Sequence, residues 1–446
     1  MSETEKLKDS GLKITDLRVV NINGLPKHCI IIKIYTDKGI VGLGEVRDAS
    51  SATYALMLKK RIIGEDPLKV AKLFNRIKQF GGHSRQGGGV SGVEIALWDI
   101  VGKYYKIPLY QLLGGKYRDK VCVYCDTDVE GRHTGRDMGM ALKKRMDMGF
   151  TFLKMDLGLD LLLDVEGAVN APLGSIEDLK KYNMKAITHQ RGSIDKSLMM
   201  GKNYEVFTVP HYATGISFTE KGLDYLENYV KEVRETIGCE VPLAIDHIGH
   251  VNEGSIIALA RRLEKYNIAW IEDVAPWMNK NILKKVSDNT VIPVCTGEDI
   301  YLAENFEPLL KDRTVSVVHP DVLTIGGAME MKKLEMLCEK YGIAVAIHMA
   351  ESPIAFMAAV HIAASMKNVL AVEFHSADYP DWFKLVKGLK NPLIENGFVD
   401  VPDAPGLGIE DIDETTVKKY IHKDYKGFFE DTSDWDNEWS NDREWS

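Results

Sequence analysis

No stretch of the 446 residues approaches the roughly 20 consecutive apolar positions of a membrane-crossing helix. The opening "MSETEKLKDS" has no apolar centre, so no signal peptide is expected and the expected location is the cytoplasm. Excess positive charge is also absent. A net charge of −9 argues against a nucleic-acid partner, and no membrane partner is expected. Cysteine is sparse, with six in the chain. The pair in "CVYC", Cys122 and Cys125, falls on a strand pattern where positions three apart face opposite ways, and no second pair completes a zinc site. Both read as packed cysteines.

What is present is regular. Residues 14 to 46 hold two strand-like segments, then a "DKG" turn into "IVGLGEV", an antiparallel meander. From Ala52 to Tyr105 the pattern turns helical. These segments predict an α+β capping domain over residues 1–118. Eight short apolar runs follow: "VCVYCD", "FLKMDL", "VPLAID", "IAWIED", "IPVCTGE", "SVVHPD", "AVAIHM" and "LAVEFH". Amphipathic helix-length stretches separate most of them. Strands this uniformly apolar, alternating with helices, predict a parallel sheet closed into a (β/α)8-type TIM barrel over residues 119–390. A doubly wound open sheet is the alternative, but eight units close more naturally. Residues 391–446 resume short strand and turn signals and are expected to return to the capping domain. The acidic tail carries Trp435, Trp439 and Trp445, which suit either a solvated end or docking on this or a neighbouring subunit.

The rhythm breaks once. The second and third runs lie far apart, and residues 158 to about 216 exceed a normal crossover. They leave from the C-terminal end of a strand, the active-site face of a barrel, so a lid or specificity element is expected there.

The strand ends carry the chemistry. Asp246, Glu272 and Glu298 end the third, fourth and fifth runs, each 26 residues after the one before. One carboxylate at a strand end is a turn residue; three on consecutive strands would converge and repel. A hard divalent cation resolves the repulsion, and an all-oxygen set points to Mg²⁺, one per subunit. Asp321 ends the sixth run and His348 the seventh, a pairing suited to a general base and its orienting partner. Glu373 ends the eighth and is a candidate for a hydrogen bond to substrate. Lys154 and Asp156 share one face of the second strand, and Lys154 is a candidate ligand for a substrate carboxylate or a partner of the metal ligands.

The chain resembles the enolase superfamily over nearly its whole length, in the mandelate racemase branch of the mandelate racemase and muconate lactonizing enzyme group. "SGVEIALWDIVGKYYKIPLYQLLGG" resembles the N-terminal signature. "WIEDVAPW", "CTGED", "HPDVLTIGGAMEMKK" and "PGLGIE" resemble the barrel motifs. The resemblance implies an enolase-like modified barrel, Mg²⁺ on Asp246, Glu272 and Glu298, and Asp321 with His348 as the base. It implies specificity from loops near Asn21–His28 and Arg47–Tyr54. Arg47, His28, Asp156, His247 and His250 are the candidate substrate-binding residues. A sugar-acid substrate and a homo-oligomer, dimer or higher, are expected.

Two departures bear on the reaction. Where mandelate racemase carries a second lysine on strand two, this chain has Asp156, so one of two bases is missing. Where many acid-sugar dehydratases of the branch place an acidic histidine two residues after the strand-three aspartate, this chain has Ile248. The acid then falls to His348 itself or to the insertion, with His189, Arg191 and Tyr212. Removal of the proton beside a carboxylate, followed by loss of water from an aldonate or aldarate to give a 2-keto-3-deoxy acid, is the expected reaction. Racemisation, epimerisation or cycloisomerisation of a sugar acid or lactone is its rival. A non-catalytic metabolite sensor is a second rival, from another class, although a sensor has no need of a base. A metallohydrolase is a third, although such sites lean on histidine ligands.

Overall fold

The computed structural model describes residues 10–25, 27–128, 131–172, 174, 176–177, 215–249, 251–425 and 427–439. Three antiparallel strands, Ile14–Ile22, Cys29–Thr36 and Val41–Val46, form the N-terminal sheet. Helix Gly88–Tyr105 lies on the third of them. Glycine on both sides allows the close approach: a Cβ on Gly44 would stand 2.1 Å from the Gly92 carbonyl oxygen, and one on Gly92 equally close to that of Glu45. Any side chain there would push the layers apart.

Eight parallel strands then close into a barrel. In chain order they are Lys120–Cys125, Leu153–Asp156, Leu243–Asp246, Ile268–Glu272, Val294–Thr296, Val317–Val318, Ala344–Ile347 and Val369–Phe374. Each pairs with the next, and the eighth pairs with the first through Glu373 opposite Tyr124. Alternation divides the side chains. Val121, Val123, Leu153 and Met155 belong to the large core shared with the helices. Tyr124, Ala244, Trp270, Cys295, Val317, Ala346 and Ala371 form a separate cluster that fills the barrel. Three alanines in that cluster make room for Trp270, whose ring meets Tyr124 and Phe152 edge-on. Cys122 and Cys125 do divide between these two cores.

Among the described residues the eighth strand is followed by only a short 3-10 turn, Trp382–Lys384, where the preceding strands are followed by α-helices. The barrel is therefore of the modified kind. The C-terminal stretch also does more than return to the capping domain. Phe398–Asp400 pairs antiparallel with the first barrel strand before Ile421 bridges to Ile22 and His422 donates its backbone N–H to Asn21. Further on, Asp436 pairs with Lys59 at 2.6 Å.

A hairpin, Val169–Asn170 with Ser217–Phe218, brings together the two ends of the long connection after the second strand. Glu94 joins the capping domain to the barrel. Its buried carboxylate accepts from the backbone N–H groups of Ala328 and Met329, at the start of helix Ala328–Tyr341.

Candidate active site

The C-terminal ends of the barrel strands surround a cavity of about 290 Å³. The second strand delivers Lys154 and Asp156 to it, the third Asp246, and the loop beyond the fifth Glu298. His348 enters just past the seventh strand.

Lys154 is fully buried, with Nζ 2.9 Å from Asp246 Oδ2, 2.9 Å from Glu272 Oε1 and 2.7 Å from Glu373 Oε1. Burial works against its charge, but Asp246, Glu272 and Glu373 outweigh it and hold the pKa well above the usual lysine value. It is an ammonium group set between carboxylates. Glu272 does not line the cavity; it lies beneath it, accepting from Trp270 Nε1 at 2.8 Å, with His319 Nδ1 3.0 Å away. Nε2 of His319 lies 3.2 Å from Glu373 and also contacts the Tyr124 hydroxyl. The barrel floor is thus a continuous polar network, shielded by the aromatic cluster below it.

The candidate base and its expected partner meet directly. His348 Nδ1 lies 2.7 Å from Asp321 Oδ2, and the two residues form a backbone bridge between the ends of strands six and seven. Asp321 Oδ1 accepts from the Leu323 N–H at 2.6 Å, which fixes the carboxylate plane. With Nδ1–H donated to Asp321, Nε2 is left to accept a proton, and it faces Glu298 Oε2 at 2.9 Å. Burial opposes the imidazolium, but Glu298 and Asp321 raise its pKa well above the ordinary histidine value.

Of the expected metal donors, Asp246 and Glu298 line the cavity and Glu272 lies beneath it. Asp273, on the cavity wall beside Glu272, has its pKa pushed well above the carboxylate range, first by burial and then by Glu298, Glu272 and Asp246 around it. The oxygen donors of Asp246, Glu272 and Glu298 are of the type that fits Mg²⁺. As they stand, Lys154 bridges Asp246 and Glu272 while His348 bonds Glu298.

The remaining expected residues divide. Asp156 lines the cavity with a pKa raised to about 7, burial being the main cause. His247 also lines it, exposed and in the left-handed region at φ 60°, its Nε2 3.8 Å from Asp156. Glu373 is wholly buried under the floor. Arg47 does not reach the cavity. It is fully buried, pairing with Asp48, with Glu351 at 2.6 Å and with Asp321 at 3.4 Å, because a guanidinium taken out of water must be matched by carboxylates. Arg85 stands on the cavity wall instead. His28 also points elsewhere, 3.3 Å from Asn21 and packed on His422 and Tyr425, while its neighbour Lys27 lines the cavity. His250, His189, Arg191, Tyr212 and Trp445 lie outside the described residues.

Sequence reasoning missed Lys27, Asp48, Arg85, Asp126, Asp273 and His375, all on the cavity wall. His375 directly follows the eighth strand, a signal of the same kind as that of His348. Arg85 sits in the glycine-rich "GGHSRQGGG", inside the stretch whose pattern reads as helical, and nothing in that pattern marks it as a site residue.

Two family models match the chain: the mandelate racemase / muconate lactonizing enzyme N-terminal domain over residues 25–114, and the enolase C-terminal domain-like family over residues 196–415. A D-xylonate dehydratase of Haloferax volcanii is 31% identical over 89% of this chain and 86% of its own. A D-galactonate dehydratase of Cronobacter sakazakii is 26% identical over 91% and 94%. The crystal structure of a mandelate racemase/muconate lactonizing enzyme-like protein from Rubrobacter xylanophilus superposes with a TM-score of 0.76 at 26% identity, covering 94% of this chain and 99% of that one.

Proposed function

The chain belongs to the mandelate racemase/muconate lactonizing enzyme group of the enolase superfamily, and from that premise we propose that it is a Mg²⁺-dependent aldonate dehydratase. The observation that carries this reading is the His348–Asp321 pair facing Glu298 across the same cavity that Asp246 lines.

The proton beside a carboxylate is very weakly acidic, so negative charge developing on the carboxylate oxygens must be met by something better than water. Asp246, Glu272 and Glu298 would hold Mg²⁺, which when bound would supply that positive charge. Lys154 offers a second, at the edge of the same carboxylate cluster. His348 Nε2 takes the C2 proton, and Asp321 keeps the imidazole in the accepting tautomer. Departure of the C3 hydroxyl as water leaves an enol that becomes a 2-keto-3-deoxy acid.

The cavity wall favours one class of sugar acid. Seven carboxylates line it against three Lys or Arg side chains. Of these three, Lys154 is committed to carboxylates, and Arg85 lies 3.0 Å from Asp299. A chain of hydroxyls finds acceptors at Asp126, Asp128 and Asp156, whereas the second carboxylate of an aldarate meets like charge. The relatives are named for D-xylonate, D-mannonate and D-galactonate, all aldonates.

The test is a panel of aldonates and aldarates with Mg²⁺, read by formation of 2-keto acid. Turnover of an aldonate, with aldarates inert, is expected. Deuterium incorporation at C2 with no loss of water from any member would favour an isomerase instead.

A further inference from the structure

The dehydratase reading leaves one step without an assigned residue. Hydroxide is a poor leaving group, so C3–O cleavage needs a proton. The cavity wall holds another histidine. His375 stands one residue beyond the eighth strand, next round the barrel from His348, with the two rings 6.0 Å apart between centroids. Its Nδ1 lies 3.1 Å from Asp126 Oδ2, so its ring is oriented by a carboxylate, as the ring of His348 is by Asp321. Its Nε2 lies 3.1 Å from Glu373 Oε1 but makes no hydrogen bond among the described residues. The side chain is 13% exposed and the residue lines the cavity. That nitrogen is buried and has no hydrogen-bond partner among the described residues, and a buried ring nitrogen in this state calls for one.

We propose, resting on the aldonate reading, that His375 is the general acid that protonates the departing C3 hydroxyl. His348 removes the C2 proton, and the C–H electron pair enters the enediolate. That pair then forms C2=C3 as the C3–O bond breaks, its electrons leaving with the hydroxyl, which takes the proton from His375 Nε2 and departs as water. Conversion of the enol to the ketone returns a proton to C3 and frees the enol hydroxyl proton, restoring both histidines to their starting states. Burial disfavours a protonated His375, but Asp126 and Glu373 outweigh it and raise its pKa above the usual histidine value. Asp126 is then a positioning residue acting through His375.

The experiment uses the full chain with Mg²⁺ and whichever of D-xylonate, D-mannonate and D-galactonate the unmodified enzyme dehydrates. His375→Gln should lose about 10²- to 10⁴-fold in 2-keto-acid formation, the usual weight of a general acid. The same variant should still exchange the C2 proton with deuterated solvent, followed by proton NMR. It should also still release fluoride from the 3-deoxy-3-fluoro analogue, because fluoride departs without being protonated. Asp126→Asn should show the same pattern more weakly, and it reports on the same step if His375→Gln does not fold. Retained dehydration in His375→Gln overturns the proposal, as does loss of C2 exchange or of fluoride release in step with dehydration. If the unmodified enzyme neither exchanges nor dehydrates any of the three, the aldonate reading fails first, and the acid role with it.

Discussion

His348 Nδ1 and Asp321 Oδ2 are 2.7 Å apart at the mouth of the barrel, with the opposite ring nitrogen, Nε2, facing Glu298. The pair acts as a unit only if the carboxylate selects the tautomer. His348→Asn is therefore expected to remove both dehydration and C2 proton exchange, a loss of about 10² to 10⁴. Asp321→Asn should keep Mg²⁺ bound yet cost much of that rate. The double variant should be little worse than His348→Asn alone. C2 exchange surviving in His348→Asn would move the base to the other face, with Lys154 the leading candidate.

Asp246 and Glu272 share the ammonium of Lys154, so removing either carboxylate leaves that cation under-compensated and takes away one proposed metal ligand. Asp246→Ala and Glu272→Ala should each abolish Mg²⁺ binding by calorimetry and abolish activity, with the circular dichroism spectrum retained. Full turnover in either variant would remove these residues from the metal set.

Arg47 tests burial against recognition. Replacing it by Met leaves Asp48, Glu351 and Asp321 without their shared cation, at a cost on the order of 3–5 kcal/mol. Denaturant unfolding should show that loss. An unchanged unfolding midpoint with a raised KM for the sugar acid would instead return Arg47 to the substrate.

His361 is buried against Tyr110, their rings stacked 5.7 Å apart, and burial lowers its pKa to about 4 from the ordinary 6.5. Below pH 6.5 the unfolded chain takes up a proton there that the folded chain refuses. Stability from this site is therefore full above pH 6.5 and lost as pH falls toward 4, about 3 kcal/mol in all. His361→Phe should flatten the acid side of the stability profile relative to the unmodified protein. Parallel profiles between pH 7 and pH 4 would show that the site carries no such linkage.

Strand pairs Val169–Phe218 and Asn170–Ser217 hold the ends of the long connection side by side, so a short turn can replace residues 173–214 without straining the barrel. Because the connection leaves from the cavity face at Asp156, the shortened enzyme should change in KM or substrate preference more than in melting temperature. Unchanged kinetics on the true substrate would make the segment dispensable to recognition.

The eight strands, their closure and the residues at their ends were legible because each is a local signal. A run of apolar residues makes a buried strand, and a carboxylate or histidine at its end stands at the C-terminal end of the barrel, in the cavity or just beneath it. Asp246, Glu298, Asp321 and His348 needed nothing more than their positions along such runs. Where a side chain stops short of the cavity is not local. Arg47 and Arg85 look alike in the chain, yet burial among Asp48, Glu351 and Asp321 withdraws the first and leaves the second on the cavity wall. His28 and Lys27 are neighbours, and only packing on His422 and Tyr425 turns the histidine away. His375 gained its place when the eighth strand paired with the first and set it against Asp126, far away in the chain. Strand pattern determines which residues stand at the mouth; barrel closure and charge matching, which act between distant segments, decide which of them face the substrate.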